Sequence, residues 1–219
     1  MNKQHPNGFN SFFLPEWALY KKGYRYLAGV DEVGRGPLAG PVMAAAVVLP
    51  PYCELPGLTD SKKLTSLKRE KLYIEIFKVA LSVGIGRVDQ AEIDQTNILK
   101  ASLKAMAMAV NNLSFPVDYV LIDGIFPIAM DVPQMTLKKG DNFSMLIAAA
   151  SVVAKVVRDR VMKEYHDQYP WYNFARNKGY GTKEHLGAIK RYGYSPLHRK
   201  TFKGVTQGAL SLFQESCHF

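Results

Sequence analysis

Tyr26-Leu27-Ala28-Gly29-Val30-Asp31-Glu32-Val33-Gly34-Arg35-Gly36 is an apolar run that ends in two adjacent carboxylates and then a Gly-Arg-Gly turn. The apolar part reads as a buried strand. A second apolar run, Asp118-Tyr119-Val120-Leu121-Ile122, delivers Asp123-Gly124 in the same way. Two neighbouring strands that each end in Asp bring like charges to one edge of a sheet, where they repel unless something positive sits between them. The simplest such partner is a divalent metal. The Gly-Arg-Gly turn would add backbone N–H groups able to approach a phosphate.

Working outward, strand one spans about 26–33. It is separated from the apolar run Val42–Leu49 by Gly34, Gly36, Pro37, Gly40 and Pro41, which suits an antiparallel pair. Leu67, Leu72, Ile76, Val79 and Ala80 fall at helical spacing behind Thr65-Ser66 as candidate caps, predicting a helix over 66–80. Ser82–Val88 is a third strand, Ile93–Asn111 a helix, and Asp118–Ile122 and Gln134–Leu137 two more strands. The strongest helix is Ser144–Tyr165, whose Leu146, Ile147, Ala150, Val153, Ala154, Val157 and Val161 form one stripe. Its Ala148-Ala149-Ala150-Ser151 segment suits close packing on a sheet. A Gly-Tyr-Gly loop, Gly179-Tyr180-Gly181, and a short helix near Lys183–Tyr192 follow. Three sequential strands followed by βαβα make an α/β fold, a mixed five-stranded sheet flanked by helices with a helical C-terminal portion. That layout resembles the one expected of a ribonuclease-H-like fold. Residues 1–24 read as an N-terminal arm with one helical turn around Pro15-Glu16-Trp17, and residues 25–219 as a single domain.

With 219 residues, of which 47% are hydrophobic, the chain can bury one sizeable core. Its formal charge of +9 favours a polyanionic partner. Cys53 and Cys217 lie far apart with no C-x-x-C spacing, which argues against a zinc site or a disulfide framework and points to a reduced, cytoplasmic setting. No apolar run is long enough for a membrane span.

Asp31, Glu32, Asp123 and Asp141 are the candidate ligands. Mg²⁺ and Mn²⁺ prefer oxygen donors, and a pair of them can stabilise the attacking and leaving oxygens of a phosphoryl displacement. One Asp before Gly is ordinarily a turn former, but repetition at two strand ends is not ordinary. Asp141, in Lys139-Gly140-Asp141-Asn142, can cap the long helix, ligate a metal, or do both. Ser61 and Lys62, in Asp60-Ser61-Lys62-Lys63, read either as a helix approach or as a phosphate holder. Tyr180 reads either as a loop aromatic or as a ring lying against a sugar or base. His185 and His198 lack metal-ligand spacing and are expected at the surface or on phosphate. A glycosidase would use Asp31 and Glu32 as an acid/base pair without metal. A non-catalytic hybrid-binding module would not need four acids.

The combination of Asp31-Glu32-x-Gly34-Arg35-Gly36-Pro37-Leu38-Ala39-Gly40-Pro41-Val42, Asp60-Ser61-Lys62-Lys63-Leu64, Val120-Leu121-Ile122-Asp123-Gly124, Lys139-Gly140-Asp141, Ala148 through Asp159, and Gly179-Tyr180-Gly181-Thr182 resembles ribonuclease HII. The resemblance covers about residues 26–203. It implies endonucleolytic hydrolysis of the RNA strand in RNA–DNA hybrids and incision 5′ to a single ribonucleotide in duplex DNA, leaving 3′-OH and 5′-phosphate ends. It also implies that Asp31, Glu32, Asp123 and Asp141 are metal-binding catalytic acids for Mg²⁺ or Mn²⁺, by a two-metal mechanism. Gly34, Arg35, Gly36 and Tyr180 match the elements that read the 2′-OH. Asn142-Phe143-Ser144-Met145 departs from the Ser-rich helix entry expected after Asp141. The enzyme is expected to be a monomer. Its tail, Gln207–Phe213, resembles peptides that dock on the sliding clamp, with Ala209 where Gln is usual; the other reading of this tail is a helix turn packed on the enzyme itself.

Overall fold

A computed structural model describes residues 14–58, 61 and 64–206. In order these form α1 (Leu14–Lys21), β1 (Leu27–Val33), β2 (Val42–Val48), α2 (Ser66–Val79), β3 (Ser82–Val88), α3 (Gln90–Gln95), α4 (Ile98–Asn111), β4 (Tyr119–Asp123), β5 (Gln134–Leu137), α5 (Met145–Gln168), α6 (Phe174–Asn177) and α7 (Lys183–Tyr192). The chain divides into two compact units. One comprises the described parts of Met1–Val33, Met43–Arg87 and Ser102–Val156; the other comprises Gly34–Val42, Val88–Ala101 and the described part of Val157–Phe219.

The first unit is built on a five-stranded sheet of order β3-β2-β1-β4-β5. β1 pairs antiparallel with β2 and parallel with β4, and β4 pairs parallel with β5, so the sheet is mixed as expected. All seven residues of β2 are buried. That is why its sequence, VMAAAVV, is continuously apolar rather than alternating. The Asp118 carboxylate accepts the N–H groups of Arg25 and Tyr26, both at 2.8 Å, and so ties the starts of β1 and β4 together. Gly29 is obligatory because a Cβ there would collide with the α5 backbone at Leu146 and Ile147. The helix therefore lies on β1 at close range, as its small residues suggested.

Two elements differ from the sequence expectation. The single helix anticipated over 93–111 is two, α3 and α4. The Asn97 side chain accepts the Lys100 N–H at 2.9 Å and caps α4, while the Thr96 hydroxyl donates to Glu92 O at 2.8 Å. Asn and Thr thus offer the backbone an alternative to a continuous helix. The anticipated helical turn near Glu16 is an eight-residue helix, α1, with Glu16 and Leu19 buried.

The second unit gathers Leu38, Ala39, Met162, Tyr172, Phe174, Ala188, Ile189, Leu197 and Val205 into its own core. α7 starts where expected, with Thr182 Oγ1 accepting the His185 N–H at 3.2 Å. Among the described residues no helix is long and apolar enough to cross a membrane.

Candidate active site

Because β1 and β4 run parallel with Val30 opposite Ile122, the next residue of each strand, Asp31 and Asp123, emerges at the same sheet edge. Glu32 joins them. An oxygen from each of Asp31, Glu32 and Asp123 lies within 4.8 Å of the other two. Asp31 is only 6% exposed, whereas Glu32 and Asp123 are half-buried. Burial first, and then the charges of Glu32 and Asp123, push the Asp31 carboxyl well above its ordinary range. Opposing this, its Oδ1 accepts the Glu32 N–H at 2.7 Å, and Ser151 hydrogen-bonds to it. The Ser151 hydroxyl is in turn 2.7 Å from the buried Ser61 hydroxyl. Ser61 is thus held inside the unit, behind Asp31. Lys62 lies outside the described residues.

Asp123 has a second task. Its Oδ1 accepts the Gly140 N–H at 2.7 Å and anchors the 3₁₀ turn Gly140–Asn142. Asp141 sits in that turn, 3% exposed, with Oδ1 accepting from Asn142 Nδ2 at 2.8 Å. It is not part of the three-carboxylate cluster. Nor is it the cap of α5, one of the two roles its position allowed. Ser144 fills that role, accepting the Ile147 N–H at 3.1 Å, because the intervening turn delays the helix to Met145. The Ser144 hydroxyl donates to Glu16 Oε1 at 2.6 Å, and Leu146 N–H donates to the same oxygen at 3.2 Å. Ser144 thereby explains the unusual entry to this helix.

In the second unit two fully buried arginines shape the Gly-Arg-Gly turn. Arg158 donates to Pro41 O at 3.0 Å, Lys178 O at 3.1 Å and Ala39 O at 3.3 Å. Arg199 donates to Gly40 O at 3.0 and 2.9 Å, to Arg35 O at 3.0 Å and to Gly34 O at 2.5 Å. Desolvation lowers their pKa values to about 10 and about 9, and the neighbouring Arg158 adds to the effect on Arg199. Both guanidinium groups remain cationic at neutral pH. Gly34 has φ +95°, and a Cβ there would run into the Arg158 side chain.

Leu38 N–H donates to Gly179 O at 2.8 Å, joining this turn to the Gly-Tyr-Gly loop. The Tyr180 ring comes within 3.5 Å of where a Gly36 Cβ would sit, and Tyr180 is 46% exposed. Arg35 and Gly36 are exposed as well. His185 and His198, expected at the surface or on phosphate, are instead buried. They pack edge-on to Tyr172, with Phe174 also against His185, in an aromatic interior that excludes phosphate.

Sequence reasoning missed Arg158, Arg199, Ser151 and Glu16 as organisers. Arg158 had a signal: it stands four residues after Ala154 and four before Met162, both buried on α5. Arginine is almost never fully buried unless its guanidinium is paired, so one on the apolar face of α5 has to find acceptors.

Comparison with known proteins accords with this geometry. A family described as Ribonuclease HII matches residues 28–205. A ribonuclease HII of Geobacter metallireducens is 56% identical over 200 residues, 91% of this chain and 94% of the relative. The ribonuclease H2 of Pyrococcus horikoshii superposes with a TM-score of 0.70 at 25% identity, covering 86% of this chain and 99% of that one. Ribonuclease HII in a complex with PCNA from Archaeoglobus fulgidus gives 0.68 at 23% identity, covering 81% and 95%. A mixed sheet of this order, with acids at the ends of β1 and β4, is the scaffold of a ribonuclease H, a hydrolase that cuts RNA in RNA–DNA hybrids with the help of divalent metal. Within that class, the chain belongs to the ribonuclease HII family.

Proposed function

We propose that the enzyme incises duplex DNA 5′ to a single embedded ribonucleotide, as well as cutting longer RNA–DNA hybrids, and that Asp31, Glu32, Asp123 and Asp141 hold Mg²⁺ or Mn²⁺ for this purpose. The observation that carries the reading is the carboxylate cluster within 4.8 Å, with the Asp31 pKa raised by burial first and then by the charges of Glu32 and Asp123. Such a donor set fits a hard dication, which would neutralise charges that otherwise destabilise one another. Asp141 would join from its anchored turn. A bound dication supplies positive charge to the oxygens of the scissile phosphodiester.

The protein's own groups do the rest. Asp31 and Asp123 are held by Ser151 and the Gly140 N–H, so their direction is set before substrate arrives. A water attacks phosphorus, the P–O3′ bond breaks, and the products are a 3′-OH and a 5′-phosphate. Gly34, Arg35 and Gly36 follow Glu32 with only Val33 between, and their backbone would meet the ribose 2′-OH, the atom that marks RNA. Tyr180 would lie against the same nucleotide. Lys62, beside Ser61, would contact the phosphate backbone. We take residues 25–219 as one catalytic domain, monomeric and cytoplasmic. The tail Gln207–Phe213 lies outside the described residues; its likeness to clamp-docking peptides, and the archaeal complex with PCNA, support docking on a sliding clamp. Loss of clamp binding in Leu212→Ala with Phe213→Ala, measured calorimetrically, checks that part.

The decisive assay is cleavage of a duplex bearing one ribonucleotide, with Mg²⁺, with Mn²⁺ and with chelator, and mass analysis of the ends. Chelator-resistant cutting would refute the metal reading, and intact duplex beside cleaved hybrid would refute the single-ribonucleotide reading.

A further inference from the structure

His185 and His198 form a buried chain that terminates on Tyr180. Ser195 N–H donates to His198 Nδ1 at 2.9 Å, and the Ser195 hydroxyl is also 2.9 Å from that nitrogen. His198 Nε2 is 3.0 Å from His185 Nε2, and His185 Nδ1 is 2.9 Å from the Tyr180 carbonyl oxygen. The two ends of this chain are not negotiable: a backbone N–H can only donate, and a carbonyl can only accept. His198 Nδ1 is therefore bare, so its single proton is on Nε2. His185 Nε2 must accept that proton's hydrogen bond, leaving its own proton on Nδ1 to bond Tyr180 O.

We propose that His185 and His198 are positioning residues for Tyr180: a neutral pair with opposite, enforced tautomers that clamps the Tyr180 backbone so that its ring is presented in one direction. This rests on the reading of Tyr180 as a substrate contact. The rest of the loop is consistent with such a clamp. Tyr180 N–H donates to Asn177 O at 2.9 Å, Thr182 N–H donates to Tyr180 O at 2.8 Å, and Gly179 N–H donates to Asn177 Oδ1 at 2.8 Å. The backbone is pinned on both sides while the side chain projects outward.

A further proton anywhere in the pair breaks it. On His198 it would face the Ser195 N–H, and on His185 it would face the His198 N–H. Burial depresses both rings, His198 to about 4, with His185 contributing to the shift on His198. Glu184 on α7 is the charge that favours a proton on His185, and it is engaged by Asn173 Nδ2 at 2.8 Å. Tyr172 faces both rings with its hydroxyl turned away to Gly193 O at 2.9 Å. Arg199, next to His198 in sequence, points its guanidinium at the Gly34, Arg35 and Gly40 carbonyls.

Long-range ¹⁵N–¹H NMR of the imidazoles in the intact enzyme reads the tautomers directly. The expected result is His185 protonated on Nδ1 and His198 on Nε2, neither titrating near the ordinary histidine value of about 6.5. The reverse tautomers, or a ring that titrates there, would overturn the clamp. Kinetics then test the positioning. His198→Ala is expected to lower kcat on a single-ribonucleotide duplex roughly tenfold with KM little changed, a loss of about 1.4 kcal/mol. His198→Gln, which can accept from Ser195 and donate to His185, is expected to recover most of it. In a Tyr180→Ala background, His198→Ala should cost almost nothing more. Full additivity of the two losses would overturn the proposal while leaving Tyr180 as a substrate contact. A Tyr180→Ala enzyme of normal activity would instead overturn the reading of Tyr180, and the positioning role with it.

Discussion

Replacing Asp31 by Asn removes one of three mutually repelling charges while keeping the side chain's shape and its ability to accept the Glu32 N–H. At 4.8 Å, two unit charges at an effective dielectric of about 20 repel by about 3.5 kcal/mol, and Asp31 takes part in two such pairs. The realised gain is smaller, because Glu32 and Asp123 are partly solvated and because Asp31 escapes the repulsion by taking up a proton. A gain of about 1–2 kcal/mol in metal-free stability at neutral pH remains, a rise of roughly 2–4 °C in Tm for each kcal/mol in a chain of this size.

The pH dependence follows in sign. A carboxyl whose folded-state pKa is raised binds a proton in the folded chain that the unfolded chain has already released. Metal-free wild-type stability therefore falls as pH rises from the ordinary carboxylate value through the raised one, and stays lower above it. In Asp31→Asn that fall should shrink. The assay is thermal unfolding in chelator and in Mg²⁺ across pH, paired with cleavage. Wild type should gain stability with Mg²⁺, whereas the variant should start higher, gain little and cut at a rate near background. A variant that melts below wild type in chelator, yet gains as much from Mg²⁺, would refute the reasoning.

Tyr180→Ala should reduce cutting at a single ribonucleotide more than duplex binding, since phosphate contacts carry most affinity; a binding titration beside the cleavage assay separates the two. Arg199→Ala strands the Gly34, Arg35 and Gly40 carbonyls, at about 1–3 kcal/mol each. The sum rivals a whole domain's typical stability of about 5–15 kcal/mol, so urea unfolding should show a severely destabilised protein. Glu16→Ala should lose about 1–3 kcal/mol by urea unfolding, because the Ser144 hydroxyl and Leu146 N–H lose their acceptor, while Glu16→Gln should lose less.

The sheet was legible because its signals are local. β3 and β5 occupy the residues their patterns indicated, and the parallel pairing of β1 with β4 follows from two strands that each end in acid. The three clustered carboxylates came from the same logic. What stayed hidden depends on side chains that reach far along the sequence. His198 reads as a surface or phosphate-contacting side chain, yet it and Arg199 are enclosed, because the His185 ring and the backbone carbonyls of the Gly34–Gly40 turn, the latter remote in sequence, supply their partners. Asn97 is different: its capping role was readable, and the apolar run on either side masked it.

The carbonyls of the turn after β1 take their donors from arginines as many as 119 and 165 positions downstream. During synthesis the acids of β1 leave the ribosome early, long before Arg199 exists. Until then the Gly34, Arg35 and Gly40 carbonyls lack the donors that Arg199 supplies, so a nascent chain carries the segment proposed to find a ribose beside its carboxylates, but incompletely braced. The carboxylates proposed for cutting are thus made long before the turn proposed to aim them is fully braced, so a chain halted before Arg199 should show no selective nuclease activity.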